Sequence, residues 1–282
     1  MSTPNTPLSP QQQPKRFGLV VIGDEILSRK RIDQHLVKVI ELLAARGLSL
    51  SWASYLGDDR RDITETFKRT FASGEVVFST GGIGATPDDH TRQAAAAALG
   101  VDLVLHPEAE RLIAARIQAT SAQTLSAAET GQRMRMGEFP AGADIIPNPY
   151  NQIPGFMVHE HYFVPGFPVM AWPMIEWVLD TRYSHCFHRA PQAERAIFVF
   201  ETAESALTPL MEKIEAAFPA IKVFSLPSVG DDARGGGGEA KAKPARRHIE
   251  LGVKGPADSV ETAYSMLKAG VAALGAPFAE AP

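Results

Sequence analysis

The stretch VVFSTGGIGATPDDHTRQAAAAALG, Val76 to Gly100, decides how this chain is read. Val76, Val77 and Phe78 read as the end of a buried strand, and Gly81, Gly82 and Gly84 as a tight turn. Thr86-Pro87-Asp88-Asp89 then opens a helix, with Thr86 at the N-cap, Pro87 at the first helical position and Asp89 at the third. Gly100 stops that helix. Strand, glycine turn and helix start in this order make an anion cradle. The glycines let backbone N–H groups approach a ligand closely, and the helix dipole favours negative charge there. Two familiar phosphate loops are excluded. No Lys follows Gly84, as a Walker loop requires, and the third position after Gly84 is Pro87, where a dinucleotide fingerprint needs glycine. The glycines alone fit a plain turn equally well. Capping uses one acid at most, so the pair Asp88 and Asp89 beside the cradle tips the reading towards a site.

Upstream, Phe17 to Ile22 (FGLVVI) is a short apolar run read as a first buried strand, followed by Gly23-Asp24-Glu25. Asp33 to Arg46 carries Leu36, Val39, Ile40, Leu43 and Ala44 at helical spacing, and Gly47 ends it. Leu48 to Leu56 predicts a second strand, followed by Gly57-Asp58-Asp59, and Asp62 to Ala72 a helix. Strands alternating with helices of this length predict βαβ units and a mostly parallel sheet between helical layers, an α/β fold. Loops that follow parallel strands share the C-terminal edge of the sheet, where such folds bind ligands. Asp24 and Glu25, Asp58 and Asp59, and Asp88 and Asp89 are therefore expected to gather there. Like charges at close range repel, and a hard divalent cation such as Mg²⁺ bridging carboxylates to a phosphate would relieve them. Taken singly, these acids fit helix caps or solvated positions better; taken as a set, they fit a site.

The 282 residues suffice for one large or two small domains, and 45% hydrophobic with 21% charged residues is ordinary for a globular protein. A net charge of -4 and a pI near 6.1 provide no basic field for nucleic acid. The single cysteine, Cys186, excludes an internal disulfide framework and suits a reducing cytoplasm. No apolar run is long enough to span a membrane. Residues 1–16, rich in Pro, Gln, Ser and Thr, lack the apolar core of a secretory signal and read as a disordered lead-in.

Downstream, Val101 to Leu105 predicts a short strand and Pro107 to Thr120 a helix. Arg133 to Gly137 and Asp144 to Ile146 read as short strands. Asn148-Pro149-Tyr150-Asn151 is a turn cluster, and Phe156 to Val158 with His161 to Val164 a hairpin. Pro165-Gly166-Phe167-Pro168 leads into an amphipathic helix, Val169 to Asp180, whose Met170, Trp172, Met174 and Trp177 are assigned to the core. The first domain thus spans 17–182, with 183–193 a linker; His185-Cys186-x-His188 lacks further cysteines for a zinc site. Residues 194–274 read as a small α+β domain of pattern βαββα, with 228–245 a flexible Gly-rich insertion and 275–282 a tail. Gly252-Val253-Lys254-Gly255 matches the GxxG of KH modules but sits at a strand end, which argues against RNA binding.

Four motifs carry a family resemblance: Ile22-Gly23-Asp24-Glu25-Ile26-Leu27, Gly57-Asp58-Asp59, Thr80-Gly81-Gly82-Ile83-Gly84-Ala85-Thr86-Pro87-Asp88-Asp89-His90-Thr91, and Pro165-Gly166-Phe167-Pro168. With them, Phe17 to Asp180 resembles the MoaB/Mog molybdopterin-binding domain, in the version that begins CinA-type competence/damage-inducible chains and is also similar to a domain of some FAD synthases. The second unit resembles the KH-like domain that follows in CinA-type chains, and the amidase domain that ends many of them is absent. The resemblance implies catalytic roles for Asp58 and Asp89. It implies ligand or phosphate contacts from Gly23, Thr80, Gly81, Gly82, Gly84, Thr86, Pro165 and Gly166. The clustered acids Asp24, Glu25, Asp59 and Asp88 are the expected cation ligands, for Mg²⁺, Mn²⁺ or Co²⁺. The chain departs from the family pattern at Ser28-Arg29, at Asp33-Gln34-His35, and at Gly84-Ala85-Thr86, where Gly-Pro-Thr is usual.

Three functions follow from the resemblance. The first is a molybdopterin-type protein that binds a phosphorylated pterin or nucleotide, with adenylylation as its chemistry. The second is a metal-dependent pyrophosphatase acting on ADP-ribose or a similar dinucleotide. The third is a non-catalytic regulatory binder. The expected partner is a small phosphorylated molecule, with no nucleic acid and no membrane, and relatives of the domain imply a homo-oligomer.

Overall fold

The computed structural model describes residues 15–120, 126–189, 192–228 and 247–281. Most of the expected lead-in, 1–14, and most of the expected insertion, 229–246, lie outside the described residues. The chain divides into two compact units, residues 1–187 and 188–282. No described helix is long and apolar enough to cross a membrane.

The first unit is built on a six-stranded sheet. Its strands are β1 (Phe17–Ile22), β2 (Leu50–Leu56), β3 (Val76–Thr80), β6 (Asp144–Ile146), β7 (Gly155–Val158) and β8 (His161–Val164), in the order β2-β1-β3-β8-β7-β6. β2, β1, β3 and β8 run parallel, and β7 and β6 turn back antiparallel. A separate pair joins β4 (Leu103–Leu105) to β5 (Glu138–Pro140). Side chains along a strand alternate between faces, and FGLVVI is apolar on both because both faces are covered. Phe17, Leu19 and Val21 pack under α2 (His35–Ala44) and α7 (Pro168–Arg182). Val20 and Ile22 pack with Ile63 and Phe67 of α3 (Arg60–Ser73) and with Ala94 and Ala95 of α4 (Thr91–Leu99). Gly18 leaves room for the Trp52 ring of β2, since a Cβ there would lie 2.2 Å from it.

Register is what prepares a site. Ile22 pairs with Leu56, Val21 with Thr80, and Thr80 with Val164. Four parallel strands thus end within one register position of one another, and the segments after them, from Gly23, Gly57, Gly81 and Pro165, emerge along one edge. The short helix α1 (Asp24–Leu27) follows β1 directly. Arg133 to Gly137, expected as strand, is instead the end of α6 (Ala127–Met134) and a 3₁₀ turn. A capping box of Ser126 and Glu129 starts α6. α5 (Pro107–Thr120) precedes it as expected.

In the second unit the strands β9 (Gln192–Phe200), β10 (Lys222–Ser228), β11 (His248–Pro256) and β12 (Phe278–Glu280) form an antiparallel sheet, ordered β10-β11-β9-β12. Leu207 and Ile214 of α8 (Glu204–Ala217) join Val260, Tyr264 and Leu267 of α9 (Ala257–Ala273) against Ile197, Val199 and Leu251. Three expectations change here. The tail 275–282 contains β12, because Phe278 to Glu280 pair with the edge of β9, and Lys268 Nζ donates to Glu280 Oε1 at 3.0 Å. The 183–193 stretch is not a free linker. Tyr183 is buried, its hydroxyl 2.8 Å from that of Tyr162, and β9 already runs from Gln192. Ser228, assigned to the insertion, ends β10.

One buried titratable group in the first unit makes a pH prediction. His161, 1% exposed on β8, shares a 2.8 Å hydrogen bond with Thr70 Oγ1 and lies 4.0 Å from the Phe71 ring, centroid to centroid. Burial disfavours its charged form and pushes its pKa from 6.5 down to about 3. The unfolded chain therefore binds a proton that the folded chain refuses between those values. The stability His161 lends is complete above pH 6.5 and falls as the pH drops, with a limiting slope of about 1.4 kcal/mol per pH unit. In urea titrations, His161→Leu should flatten the loss of stability between pH 6 and pH 4 relative to the unsubstituted chain.

Candidate functional site

The glycine turn is shaped by close approach. Gly81 has φ +99°, and a Cβ there would lie 2.2 Å from the carbonyl oxygen of Ile22 at the end of β1. Gly82 has φ +65°, with the Thr91 hydroxyl where its Cβ would be. Thr91 locks the turn from below: its hydroxyl donates to Gly81 O at 2.9 Å and its N–H to Gly82 O at 3.0 Å. Gly166 lies beside the turn, where a Cβ would make ordinary contact with the Gly81 Cα at 3.4 Å.

The helix expected to open at Thr86-Pro87 begins one turn later, at Thr91. Half of the expected capping box forms: Thr86 N–H donates to Asp89 Oδ2 at 2.8 Å. The Thr86 hydroxyl also donates to Asp89 Oδ2 instead of accepting the Asp89 N–H, which bonds Thr86 O at 3.1 Å. Residues 86–89 close on themselves as a turn, and nothing propagates a helix through them. The anion-attracting groups here are therefore loop N–H groups rather than a helix end. Those of Ile83, Gly84 and Ala85 donate to no protein acceptor among the described residues.

A cavity of about 420 Å³ opens over this turn, within the range of small-molecule sites. Gly81, Gly82, Gly84 and Thr86 form one wall, with Asp88 and Asp89. Gly23, Glu25 and Asp58 come from the ends of β1 and β2, and Pro165 and Gly166 from the end of β8. Three of the residues expected at the site do not line it: Thr80, Asp24 and Asp59. Thr80 is buried, its hydroxyl without a partner among the described residues. Asp59 caps α3, with Oδ1 accepting from Arg61 N–H at 2.8 Å and Asp62 N–H at 2.9 Å.

Asp24 and Asp58 clasp each other through backbone. Asp24 N–H donates to Asp58 Oδ2 at 2.9 Å, and Asp58 N–H to Asp24 Oδ1 at 3.2 Å. Gly57 makes room for this, since a Cβ would lie 2.6 Å from Asp24 Oδ1. Partial desolvation pushes the Asp58 carboxyl above its ordinary value, and the charges of Asp24, Glu25 and Asp88 push it the same way. Acids from all three expected loops thus feel one another at Asp58. Even so, among the described residues no three carboxylates, histidines or cysteines converge closely enough to hold an ion by themselves. Of the four expected cation ligands, Asp24 and Asp59 do not line the cavity, since Asp59 caps α3 and Asp24 accepts from Asp58 N–H, while Glu25 and Asp88 do. A cation that takes one or two carboxylates and completes its shell with water and ligand oxygen fits this donor set, and an all-protein cage does not.

Several residues of the site escape a sequence reading. Ile153, Pro154, Phe167 and Met170 supply apolar lining to the same cavity. Arg31 also lines the cavity and lies over the Phe167 ring, 5.6 Å from its centroid. Asn148 and Asn151 line it too; Asn148 Nδ2 donates to Asn151 Oδ1 at 2.8 Å and to Ile153 O at 3.0 Å, shaping that lining. Their turn cluster is visible in sequence, but its place beside the cavity is not. His35, at a departure from the family pattern, places Nε2 3.0 Å from Gly166 O. Arg92 was hidden within an alanine helix. It is 2% exposed, and burial lowers its pKa.

Residues 18–185 match the family model described as "Probable molybdopterin binding domain". A CinA-like protein of Anaeromyxobacter sp. is 30% identical over 240 residues, covering 78% of this chain and 57% of that protein. A CinA-like protein of Syntrophotalea carbinolica is 31% identical over 213 residues, covering 72% of this chain and 50% of that one. The chain thus spans little more than half the length of these relatives. Among solved structures, the protein CinA with unknown function from Thermoplasma acidophilum superposes with a TM-score of 0.52 at 24% identity. That match covers 59% of this chain and 98% of the other, and shares the fold.

The turn makes its own prediction. Gly81→Ala should lower stability by about 2 kcal/mol or more, because a positive φ and a backbone clash coincide. Gly142→Ala is the control: φ is +85° but nothing lies within 4 Å of its Cβ, so the cost should stay near 1 kcal/mol. Urea denaturation of both variants measures the difference, which is the cost of the close approach itself.

Proposed function

This chain belongs to the molybdopterin-binding-domain family, in its CinA-like branch, and from that premise we propose that the cavity binds a phosphorylated pterin or nucleotide. The observation that carries the reading is the set of N–H groups at Ile83, Gly84 and Ala85, without a protein acceptor among the described residues, in the lining of an open, ligand-sized cavity. Unpaired donors on a glycine turn suit the oxygens of a phosphate. The apolar lining of Ile153, Phe167 and Met170 suits the face of a planar heterocycle. Arg31 adds one positive charge at the Phe167 edge. The reading thus places the phosphate end on the turn and the ring against Phe167.

A second reading, metal-dependent cleavage of a nucleoside diphosphate compound, is favoured by the mutual repulsion of acids at Asp58. Asp58 and Asp89, with Glu25 or Asp88, would hold a divalent cation between them and the ligand. The cation would supply Lewis-acid polarisation of a phosphoryl oxygen and a more acidic bound water. In this chemistry the chain's own part is to fix the phosphate through the turn, keep Asp89 in place through Thr86, and shield the ring end from water.

Two measurements test these readings. Ligands that bind only the folded chain raise its melting temperature, by about 2.7 kcal/mol of stability at a hundredfold excess over Kd. A screen of Mg²⁺, Mn²⁺ and Co²⁺ with pyrophosphate, ADP-ribose and molybdopterin should give such a shift with at least one phosphorylated compound, and a flat response to all would sink the binding reading. Cleavage of at least one nucleoside diphosphate compound is expected with a divalent ion present. Asp89→Asn keeps an oxygen that can accept from Thr86 N–H. It should abolish that turnover while leaving the melting temperature nearly unchanged; binding without turnover in the unsubstituted chain would leave a non-catalytic binder.

A further inference from the structure

The turn that faces the cavity is also gripped from behind. Arg92 Nη2 donates to Gly84 O at 2.6 Å, and Arg92 Nη1 donates to Arg135 O and, at 3.3 Å, to Glu138 O. Gln132 of α6 donates from Nε2 to the next carbonyl, Ala85 O. Neither Arg92 nor Gln132 lines the cavity, whereas Gly84, Ala85 and Thr86 all do. Two side chains from two helices therefore take hold of consecutive carbonyls of a segment whose Ile83, Gly84 and Ala85 N–H groups have no protein acceptor among the described residues.

The geometry of the peptide unit gives this grip a consequence. In a trans peptide the C=O and the following N–H point in opposite directions. Drawing Gly84 O towards Arg92 turns the Ala85 N–H the other way. Drawing Ala85 O towards Gln132 does the same for the Thr86 N–H, which Asp89 accepts. Gly84 would otherwise be free to rotate its peptide, because glycine has no side chain to restrict it. Arg92 is itself unusual in bonding three carbonyl oxygens and no carboxylate among the described residues, although it is 2% exposed. Burial penalises its charge, and the nearby carboxylates of Glu138 and Asp89 favour it without an ion-pair contact among the described residues. The loop has no lysine of its own.

We propose that Arg92 and Gln132 are positioning residues for anion recognition: Arg92 locks the Gly84 peptide so that the Ala85 N–H faces a phosphate, Gln132 locks the Ala85 peptide so that the Thr86 N–H holds Asp89 beside it, and Arg92 supplies from beneath the charge that a loop lysine supplies elsewhere. The proposal rests on the phosphate-binding reading above. Arg31 is a different element, placed at the ring end of the cavity, and acts independently of this grip.

Titration calorimetry with ADP and with inorganic pyrophosphate, each with Mg²⁺, tests it together with amide hydrogen exchange of residues 83–86. The unsubstituted chain should bind at least one probe and slow exchange in that segment on binding. Arg92→Met should raise Kd by about tenfold or more and abolish the ligand-dependent slowing, with Arg92→Lys intermediate. Gln132 is exposed, so Gln132→Ala should leave the melting temperature unchanged while raising Kd by about threefold. That variant decides the matter if Arg92→Met does not fold. Unchanged Kd in both Gln132→Ala and Arg92→Lys overturns the proposal while leaving the binding reading intact. No binding of either probe by the unsubstituted chain overturns both.

Discussion

The constraint on which the rest depends is the common ending of four parallel strands. β1, β2, β3 and β8 pair so that Ile22 and Leu56 lie within one register position of Thr80 and Val164. Everything chemical in the first unit follows those ends by a few residues. The sheet is covered on both faces by helices, so backbone that leaves it at this edge loses its strand partners and pairs with loop side chains, water or a ligand. Gly81 is where that pressure is highest. It passes within contact of the Ile22 carbonyl, which no side chain would allow, and Gly166 closes on it from β8.

Around these strand ends the protein divides its acids between structure and chemistry. Asp59 caps α3, Asp33 bonds the N–H groups of His35 and Leu36 and the Tyr55 hydroxyl, and Asp89 closes the 86–89 turn. Asp24 and Asp58 tie the first two strand ends together through their backbones. What remains is a sparse acidic rim at Asp58, Glu25 and Asp88 rather than a cage. Such a rim suits an ion that arrives with a phosphorylated ligand, because water and phosphate oxygens complete the shell. The same economy governs the cations: one arginine stands at the cavity and another lies buried beneath its floor.

The second unit shows how differently local pattern and partner-dependent structure read. Its central strands β9 and β11 are apolar enough to be found by eye, and both helices carry clear apolar faces. β12 is three exposed residues, Phe-Ala-Glu, with no periodicity to find. It is a strand because the edge of β9 offers unpaired backbone, and Tyr264 and Lys268 hold Glu280 against it. The displaced start of α4 has a similar origin. Thr86, Pro87 and Asp89 are sound helix-opening residues, but Thr91 is pinned under the glycine turn by two hydrogen bonds, and the helix starts where it is pinned.

Sequence by itself determined the α/β class, the order of the alternating units, the glycine turn and the loops that carry acids. These are encoded in runs of neighbouring residues, whose periodicity reports burial directly. Tertiary structure alone decided which acids face the cavity, since Asp58 and Asp59 differ only in which one α3 recruits as its cap. It alone brought Ile153, Phe167 and Met170 to the cavity that Gly84 lines, and set Arg92 and Gln132 against the Gly84 and Ala85 carbonyls. Gln132 meets Ala85 from 47 positions away, and Arg92 meets Gly84, eight positions back, across a turn that is not helical, so no local periodicity records either contact. A hydrogen bond to a carbonyl such as Gly84 O depends on where the backbone passes, and that is a property of the assembled fold.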